Sequence, residues 1–69
     1  MQTIKLRDEY IKLGQALKAA GLVEMGSEAK EVILEGLVFV NGEAETRRGR
    51  KLYDGDIVTI GEDTIKIEK

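Results

Sequence analysis

The sequence predicts a small α+β domain in which two short helices pack against a mostly antiparallel sheet. Two segments carry apolar residues at the i, i+3, i+4, i+7 spacing of a helix, and each stripe is closed by a glycine. After the second segment the apolar residues alternate, and Asn41-Gly42 supplies a strong hairpin signal. A chain of 69 residues has room for one core, so we expect residues 1–69 to form a single domain.

The first strand and the first helix follow from a change of period. Met1 to Leu6 alternates, which places Ile4 and Leu6 on one face and predicts a short strand. A polar connection at residues 7–9 leads to a helical stripe, which ends where Gly21 favours a left-handed cap. The stripe comprises Leu13, Ala16, Leu17 and Ala20.

The second helix carries the same stripe. Ser27 is the expected N-cap, and Glu28 in the first turn complements the helix dipole. The apolar positions are Ala29, Val32 and Ile33, and Gly36 ends the helix. Two short helices with matching stripes and a brief connection are expected to pack as a pair.

The rest of the chain predicts about four strands. Val38 and Val40 face one side and Phe39 the other, and both central residues of the Asn41-Gly42 turn favour the positive φ of a type I′ hairpin. The chain returns over residues 43–46, and Leu52 re-enters the core. Two further strands, at residues 57–60 and 64–67, are separated by glycine turns.

Composition excludes several classes of site. The chain has no cysteine and no histidine, so disulfides, thiolate metal sites and histidine catalysis are absent. We expect no cofactor and no metal. No apolar stretch approaches the length of a membrane span and no signal peptide is recognisable, so we expect a cytoplasmic protein.

A basic run stands out in this acidic chain. The formal net charge is −2, and residues 47–51 carry +4, so the other residues together carry −6. Such a concentration of charge favours an anionic partner, most commonly phosphate, although a solvated loop is the alternative. We expect a loop or strand edge, from which two or three side chains contact the partner at once. The candidates are Arg47, Arg48, Arg50 and Lys51.

The helices offer further candidates. Lys18 and Lys30 each follow a core position and lie at the edge of a stripe, where they either reach a phosphate or cover apolar surface. Lys12 precedes the first stripe and is a third candidate. Gly26 and Ser27 present free backbone N–H groups at a helix start, where an anion can bind or where the groups are simply capped.

The order of these elements resembles the S4 domain, the alpha-L RNA-binding module of ribosomal protein S4 and of several RNA-modifying enzymes. The match covers about residues 11–60, and Gly26 to Gly42 is its most specific part. The matching residues are Leu13, Leu17, Gly21-Leu22-Val23, Ser27-Glu28-Ala29-Lys30, Ile33, Gly36, Val38, Val40-Asn41-Gly42, Leu52, Gly55-Asp56, Val58 and Ile60.

The chain looks most like the stand-alone bacterial S4-like proteins, which also carry a basic stretch after the hairpin. The resemblance implies a non-catalytic protein that binds RNA, with ribosomal RNA or a ribosomal subunit as its target, through the helix pair and adjoining loops. Two positions depart from the family pattern. Gly26 stands where many S4 domains have arginine, and Gly14 where many have aspartate. The first departure removes a phosphate contact and gives more weight to the basic run.

Three alternatives remain at this point. A protein-interaction module would dock the basic run on an acidic partner. An enzyme would have to use carboxylates or lysines, and these form no constellation in the sequence. DNA binding is disfavoured because acidic residues on the second helix make it a poor reader of the major groove. The short, charged final strand favours a monomer.

Overall fold

The computed structural model describes all residues, Met1–Lys69, and contains two helices and seven short strands. Neither helix has the length and apolar character needed to cross a membrane. In chain order the elements are β1 (Gln2–Lys5), β2 (Ile11–Lys12), α1 (Leu13–Ala19), α2 (Gly26–Leu34), β3 (Val38–Val40), β4 (Glu43–Ala44), β5 (Lys51–Leu52), β6 (Ile57–Ile60) and β7 (Asp63–Glu68).

Five of the strands form one sheet in the order β1-β7-β6-β3-β4. Its pairs are antiparallel except β1 with β7, which run parallel with Ile4 opposite Ile67. The remaining two strands, β2 and β5, pair with each other in a separate antiparallel ribbon. The predicted α+β class, with two helices and a mostly antiparallel sheet, is confirmed.

The core lies between the helices and the five-stranded sheet. Both predicted stripes face the core: Ala20 and Val32 are half-buried, whereas Leu17 and Ile33 are completely inaccessible to solvent. They belong to one cluster with inward-facing residues of the sheet, including Val38 and Ile65, so both helices cover the same sheet face. The cluster is formed by Leu13, Ala16, Leu17, Val23, Ala29, Ile33, Val38, Val40, Leu52, Val58, Ile65 and Ile67.

The hairpin between β3 and β4 has the predicted geometry. Asn41 and Gly42 adopt φ angles of 52° and 86°, and Val40 pairs with Glu43 across the two-residue turn. The Asn41 side chain also braces the next turn: its Nδ2 donates to Asp56 at 3.0 Å, and its Oδ1 accepts the N–H of Ile57 at 2.9 Å. The turn residue therefore links two loops as well as reversing the chain.

The start of α2 differs from the prediction, and the assignment of Ser27 as its N-cap is wrong. The helix begins at Gly26, and Met25 is the N-cap. The carbonyl of Met25 accepts the N–H groups of Glu28 and Ala29 at 3.1 and 3.2 Å. The Glu28 carboxylate in turn accepts the N–H of Glu24 at 3.1 Å. No side chain accepts a hydrogen bond from the first turn of α2, so the helix begins without the hydroxyl cap that the sequence rule assigns to serine.

The strand count is higher than predicted because of the two-residue strands β2 and β5. Ile11 lies opposite Leu52, and Lys12 opposite Lys51. The pairing continues beyond the ribbon, where the N–H of Leu13 donates to the carbonyl of Arg50 at 2.8 Å. The segment after the hairpin is therefore laid alongside the beginning of α1.

Candidate nucleic-acid interface

The basic loop, which we define as Arg47–Lys51, is an irregular turn that enters β5 at Lys51 and is held against the first turn of α1. The N–H groups of Leu13 and Gly14 donate to the carbonyls of Arg50 and Arg48, at 2.8 and 3.0 Å. The first N–H groups of a helix have no partner within the helix, so the loop satisfies two of them. The same hydrogen bonds fix the path of the loop, which is not helical, as the sequence predicts.

A close approach between the loop and α1 explains the glycine at position 14. A Cβ atom added to Gly14 would lie 2.8 Å from Cγ and 3.3 Å from Cδ of Arg48. The aliphatic part of Arg48 thus occupies the space that a larger residue at position 14 would need. The departure from aspartate, the residue that many S4 domains have here, is matched by the position of this arginine.

Three of the candidate cations surround one groove. We define the helix groove by Lys12, Gln15 and Lys18 next to and within α1, Gly26 of α2, and Arg48 and Gly49 of the basic loop. No carboxylate lies within 4.0 Å of the charged groups of Lys12, Lys18 or Arg48. Strand β2, helix α1 and the basic loop therefore each bring one positively charged side chain without a carboxylate partner to the same concave surface.

The other helix candidates lie differently. Lys30 and Ser27 are exposed on α2, and neither lines the helix groove. Gly26 does line it, and because glycine has no side chain the groove stays open at this point. The structure therefore groups Gly26 with Lys12, Lys18 and the basic loop, and leaves Ser27 and Lys30 outside.

Two arginines of the basic loop are bound to a buried carboxylate. Glu45, whose side chain is only 8% exposed, accepts from Arg47 Nε and Nη2 at 3.0 Å each and from Arg50 Nη1 at 2.9 Å. The hydrogen bonds from Arg47 and then Arg50 outweigh the effect of burial and lower the pKa of Glu45 to about 2. The same contact raises the pKa of Arg47. Arg47 and Arg50 are thus oriented and partly neutralised.

The remaining cations of the loop have different surroundings. Arg48 extends along the helix groove, and Lys51 places its ammonium 4.8 Å from the centre of the Tyr10 ring. The rings of Tyr10 and Tyr53 are 6.0 Å apart between centroids, with an angle of 53° between their planes. Unlike Arg47 and Arg50, Arg48 and Lys51 have no carboxylate within 4.0 Å.

The sequence interpretation missed Glu45 and Tyr10. Glu45 precedes Arg47 by two residues and Arg50 by five, so an acidic residue next to a basic run was a usable signal. Tyr10 offered no such signal, because its neighbour Tyr53 is more than forty positions away in the sequence. Its role depends on the β2–β5 pairing, which the sequence did not reveal.

The aspartates at positions 54 and 56 brace the backbone, as the interpretation of this segment as a turn suggests. Asp56 accepts the N–H of Tyr53 at 2.8 Å, and Asp54 accepts the N–H of Lys69 at 2.9 Å. No group of three or more acidic side chains is arranged to hold a metal ion.

Comparison with known proteins agrees with this architecture. The family model of the S4 domain matches residues 4–68. The probable ribosome maturation protein RlbA of Bacillus subtilis is 49% identical over 57 residues, which cover 83% of this chain and 80% of that protein. The putative RNA-binding protein YbcJ of Escherichia coli is 34% identical over 68 residues, 97% of each chain.

A solved structure shows the same fold. The solution structure of E. coli YbcJ, described as revealing an alpha-L motif involved in RNA binding, matches all of this chain and 89% of its own. The TM-score is 0.77 at 33% sequence identity. The arrangement of two helices, hairpin and sheet is therefore shared over the whole chain, which belongs to the S4 domain family.

Proposed function

We propose that this protein is a non-catalytic RNA-binding protein that binds structured RNA through the helix groove and the basic loop. The observation that carries the proposal is the convergence of Lys12, Lys18 and Arg48 on one groove without carboxylate partners. In a protein of net charge −2, grouping these cations costs repulsion that an anionic ligand relieves. Phosphates along an RNA backbone provide such a ligand at regular intervals.

The target that we propose is ribosomal RNA or a ribosomal particle in the cytoplasm. Support comes from the B. subtilis relative, which is named a probable ribosome maturation protein, and from the E. coli relative, which is named an RNA-binding protein. We further propose that residues 1–69 act as one domain and as a monomer.

The mechanism is backbone recognition by shape. Lys12, Lys18 and Arg48 each neutralise a phosphate beside the helix pair, and Lys51 extends the contact to the edge of the loop. Arg47 and Arg50 keep their orientation through Glu45 and present the outer parts of their guanidinium groups. Side chains cannot reach the base edges in the deep groove of duplex RNA, so specificity comes from the fold of the RNA.

Sedimentation of the tagged protein in a cell lysate tests this proposal. The groove variant Lys18→Ala/Arg48→Ala is compared with Lys5→Ala/Lys66→Ala, which removes the same charge from the outer sheet face beside Glu68. We expect the native protein and the outer-face control to travel with a ribosomal particle, and the groove variant to stay at the top of the gradient. RNase should release the native protein.

Two outcomes contradict the proposal. A native protein that stays at the top of the gradient shows that it does not bind a ribosomal particle. Co-sedimentation that survives RNase points instead to an acidic protein partner.

A further inference from the structure

We propose that the exposed face of the β2–β5 ribbon binds one unpaired nucleotide of the RNA, with Tyr53 stacking on its base and Lys12 and Lys51 holding its phosphates. This inference deepens the proposed function and rests on it. It assigns RNA binding to a second surface, which lies beside the helix groove. On this surface Tyr10 lies at the edge of the site where the base stacks on Tyr53.

The register of the ribbon brings these four side chains together. Ile11 and Leu52 are opposite each other and turn towards the core, where Leu52 is fully buried. Side chains alternate along a strand, so Lys12 and its partner Lys51 point to the exposed face. Tyr10 and Tyr53 are the next residues beyond Ile11 and Leu52, and their rings are 6.0 Å apart on the same face.

The opposed lysines indicate an anionic ligand. Like charges directly opposite each other across two strands are destabilising. No carboxylate lies within 4.0 Å of either ammonium group, and the Tyr10 ring is the partner of Lys51 at 4.8 Å. The ring is a weak partner compared with an anion, and a phosphate between Lys12 and Lys51 would offset the repulsion between them.

The aromatic pair indicates that the ligand also carries a flat ring. Tyr53 is 48% exposed and Tyr10 is 37% exposed, so neither ring is used to fill the core. Lys51 already covers the Tyr10 ring, and for this reason we assign the base to Tyr53. Stacking of bases on aromatic side chains tolerates any sequence, because every base has a π-face.

The spacing of the two pairs suits a nucleotide. Tyrosines and lysines are two residues apart along each strand, or roughly 7 Å. This is comparable to the separation between a base and its own phosphates. Arg7, Asp8 and Glu9 of the adjoining turn line one pocket together with Tyr10 and Lys12. The Lys69 ammonium contacts the Glu9 carboxylate and offsets the negative charge of Glu9.

A base can reach Tyr53 only if it is unpaired and turned out of a helix. The inference therefore predicts a preference for RNA with a bulged nucleotide over continuous duplex. It also predicts that the identity of the bulged base matters little.

The experiment compares two labelled RNA hairpins of identical length and charge at low salt. One carries a single bulged adenosine, and the other has an abasic ribose at that position. We expect the protein to bind the bulged adenosine roughly five-fold or more tightly, by fluorescence anisotropy. Tyr53→Leu should bind both equally, and Tyr53→Phe should keep the preference because it keeps the ring. Thermal unfolding checks that both variants are folded.

Intrinsic fluorescence gives a second readout. Tyr10 and Tyr53 are the two tyrosines of a protein without tryptophan, so its emission reports on this ribbon. Stacking should quench the emission with the bulged adenosine more than with the abasic hairpin.

The two proposals fail in different ways. Equal binding of both hairpins, together with loss of binding in Lys18→Ala/Arg48→Ala, overturns the nucleotide site and leaves the proposed function standing. If neither hairpin is bound, or if both are bound and the groove substitutions leave the affinity unchanged, the proposed function fails and the nucleotide site fails with it.

Discussion

Replacement of Glu45 by glutamine tests how the basic loop is held in place. The carboxylate is buried and accepts three side-chain hydrogen bonds from Arg47 and Arg50. Glutamine keeps the size of the side chain but removes its charge and turns an amide N–H₂ towards guanidinium donors. The substitution therefore weakens the network without opening a cavity.

The size of the effect follows from the pKa of Glu45, which is lowered from 4.5 to about 2. A lowering of this size corresponds to a stabilisation of the folded state of at most about 3–4 kcal/mol. The Arg47 side chain is 73% exposed, so water screens much of its interaction with Glu45. We therefore expect Glu45→Gln to lower the free energy of unfolding by about 1–2 kcal/mol at neutral pH. The folded-state pKa lies below the ordinary value, so this stabilisation is present above about pH 4.5 and is lost as the pH falls to about 2.

The assay is urea unfolding followed by circular dichroism, with the free energy of unfolding measured at several pH values between neutral and about 2. Other carboxylates titrate in the same range, so the informative quantity is the difference between the native protein and Glu45→Gln. This difference should be largest at neutral pH and approach zero near pH 2. Glu43→Gln, an exposed change two residues away in the sequence, is the control and should differ little at any pH.

A difference between native protein and Glu45→Gln that stays constant across this pH range would refute the reasoning. It would show that the cost of glutamine comes from packing and not from the charge.

Two further predictions concern the helix groove. Gly14→Ala places a Cβ 2.8 Å from Cγ of Arg48, so Arg48 must move and RNA affinity should fall several-fold. The higher helix propensity of alanine, about 1 kcal/mol, offsets part of the strain that this contact adds to the folded protein. An RNA affinity that stays unchanged in a folded Gly14→Ala variant would contradict this explanation. With about four to six phosphates contacted, the plot of log affinity against log salt should have a slope of about −3 to −5. Lys18→Ala/Arg48→Ala should make this slope shallower by about 1.5, whereas Lys5→Ala/Lys66→Ala should leave it unchanged, and a native slope near zero would exclude phosphate recognition.

The features that sequence alone predicted are those determined by neighbouring residues. The two helical stripes pack against the core, and Gly21 and Gly36 end their helices at φ angles of 75° and 76°. The Asn41-Gly42 hairpin depends on two adjacent residues, and it also has the predicted geometry. Local rules suffice in these places because packing and propensity favour the same structure.

The features that the sequence did not reveal depend on distant partners. Strands of two residues, such as β2 and β5, are too short to show alternation, so their pairing was not predicted. The binding of Arg47 and Arg50 to Glu45 is also invisible to a count of charges, which treats every cation of the run as equally free. All three cations of the groove, Lys12, Lys18 and Arg48, are candidates from sequence, but their convergence on one surface depends on the tertiary structure.

The position of β7 has a consequence for how the protein is made. Among the strands of the sheet β7 is synthesised last, yet it lies between β1, which is synthesised first, and β6. Until residues 63–68 are available, β1 has no neighbour in the sheet, and the core lacks Ile65 and Ile67. Helices α1 and α2 can pair early, whereas the sheet closes only after a long-range contact between its first and last strands. A ribosome that stalls before residue 63 therefore carries a chain in which β1 cannot join the sheet and the part of the core that Ile65 and Ile67 complete remains open.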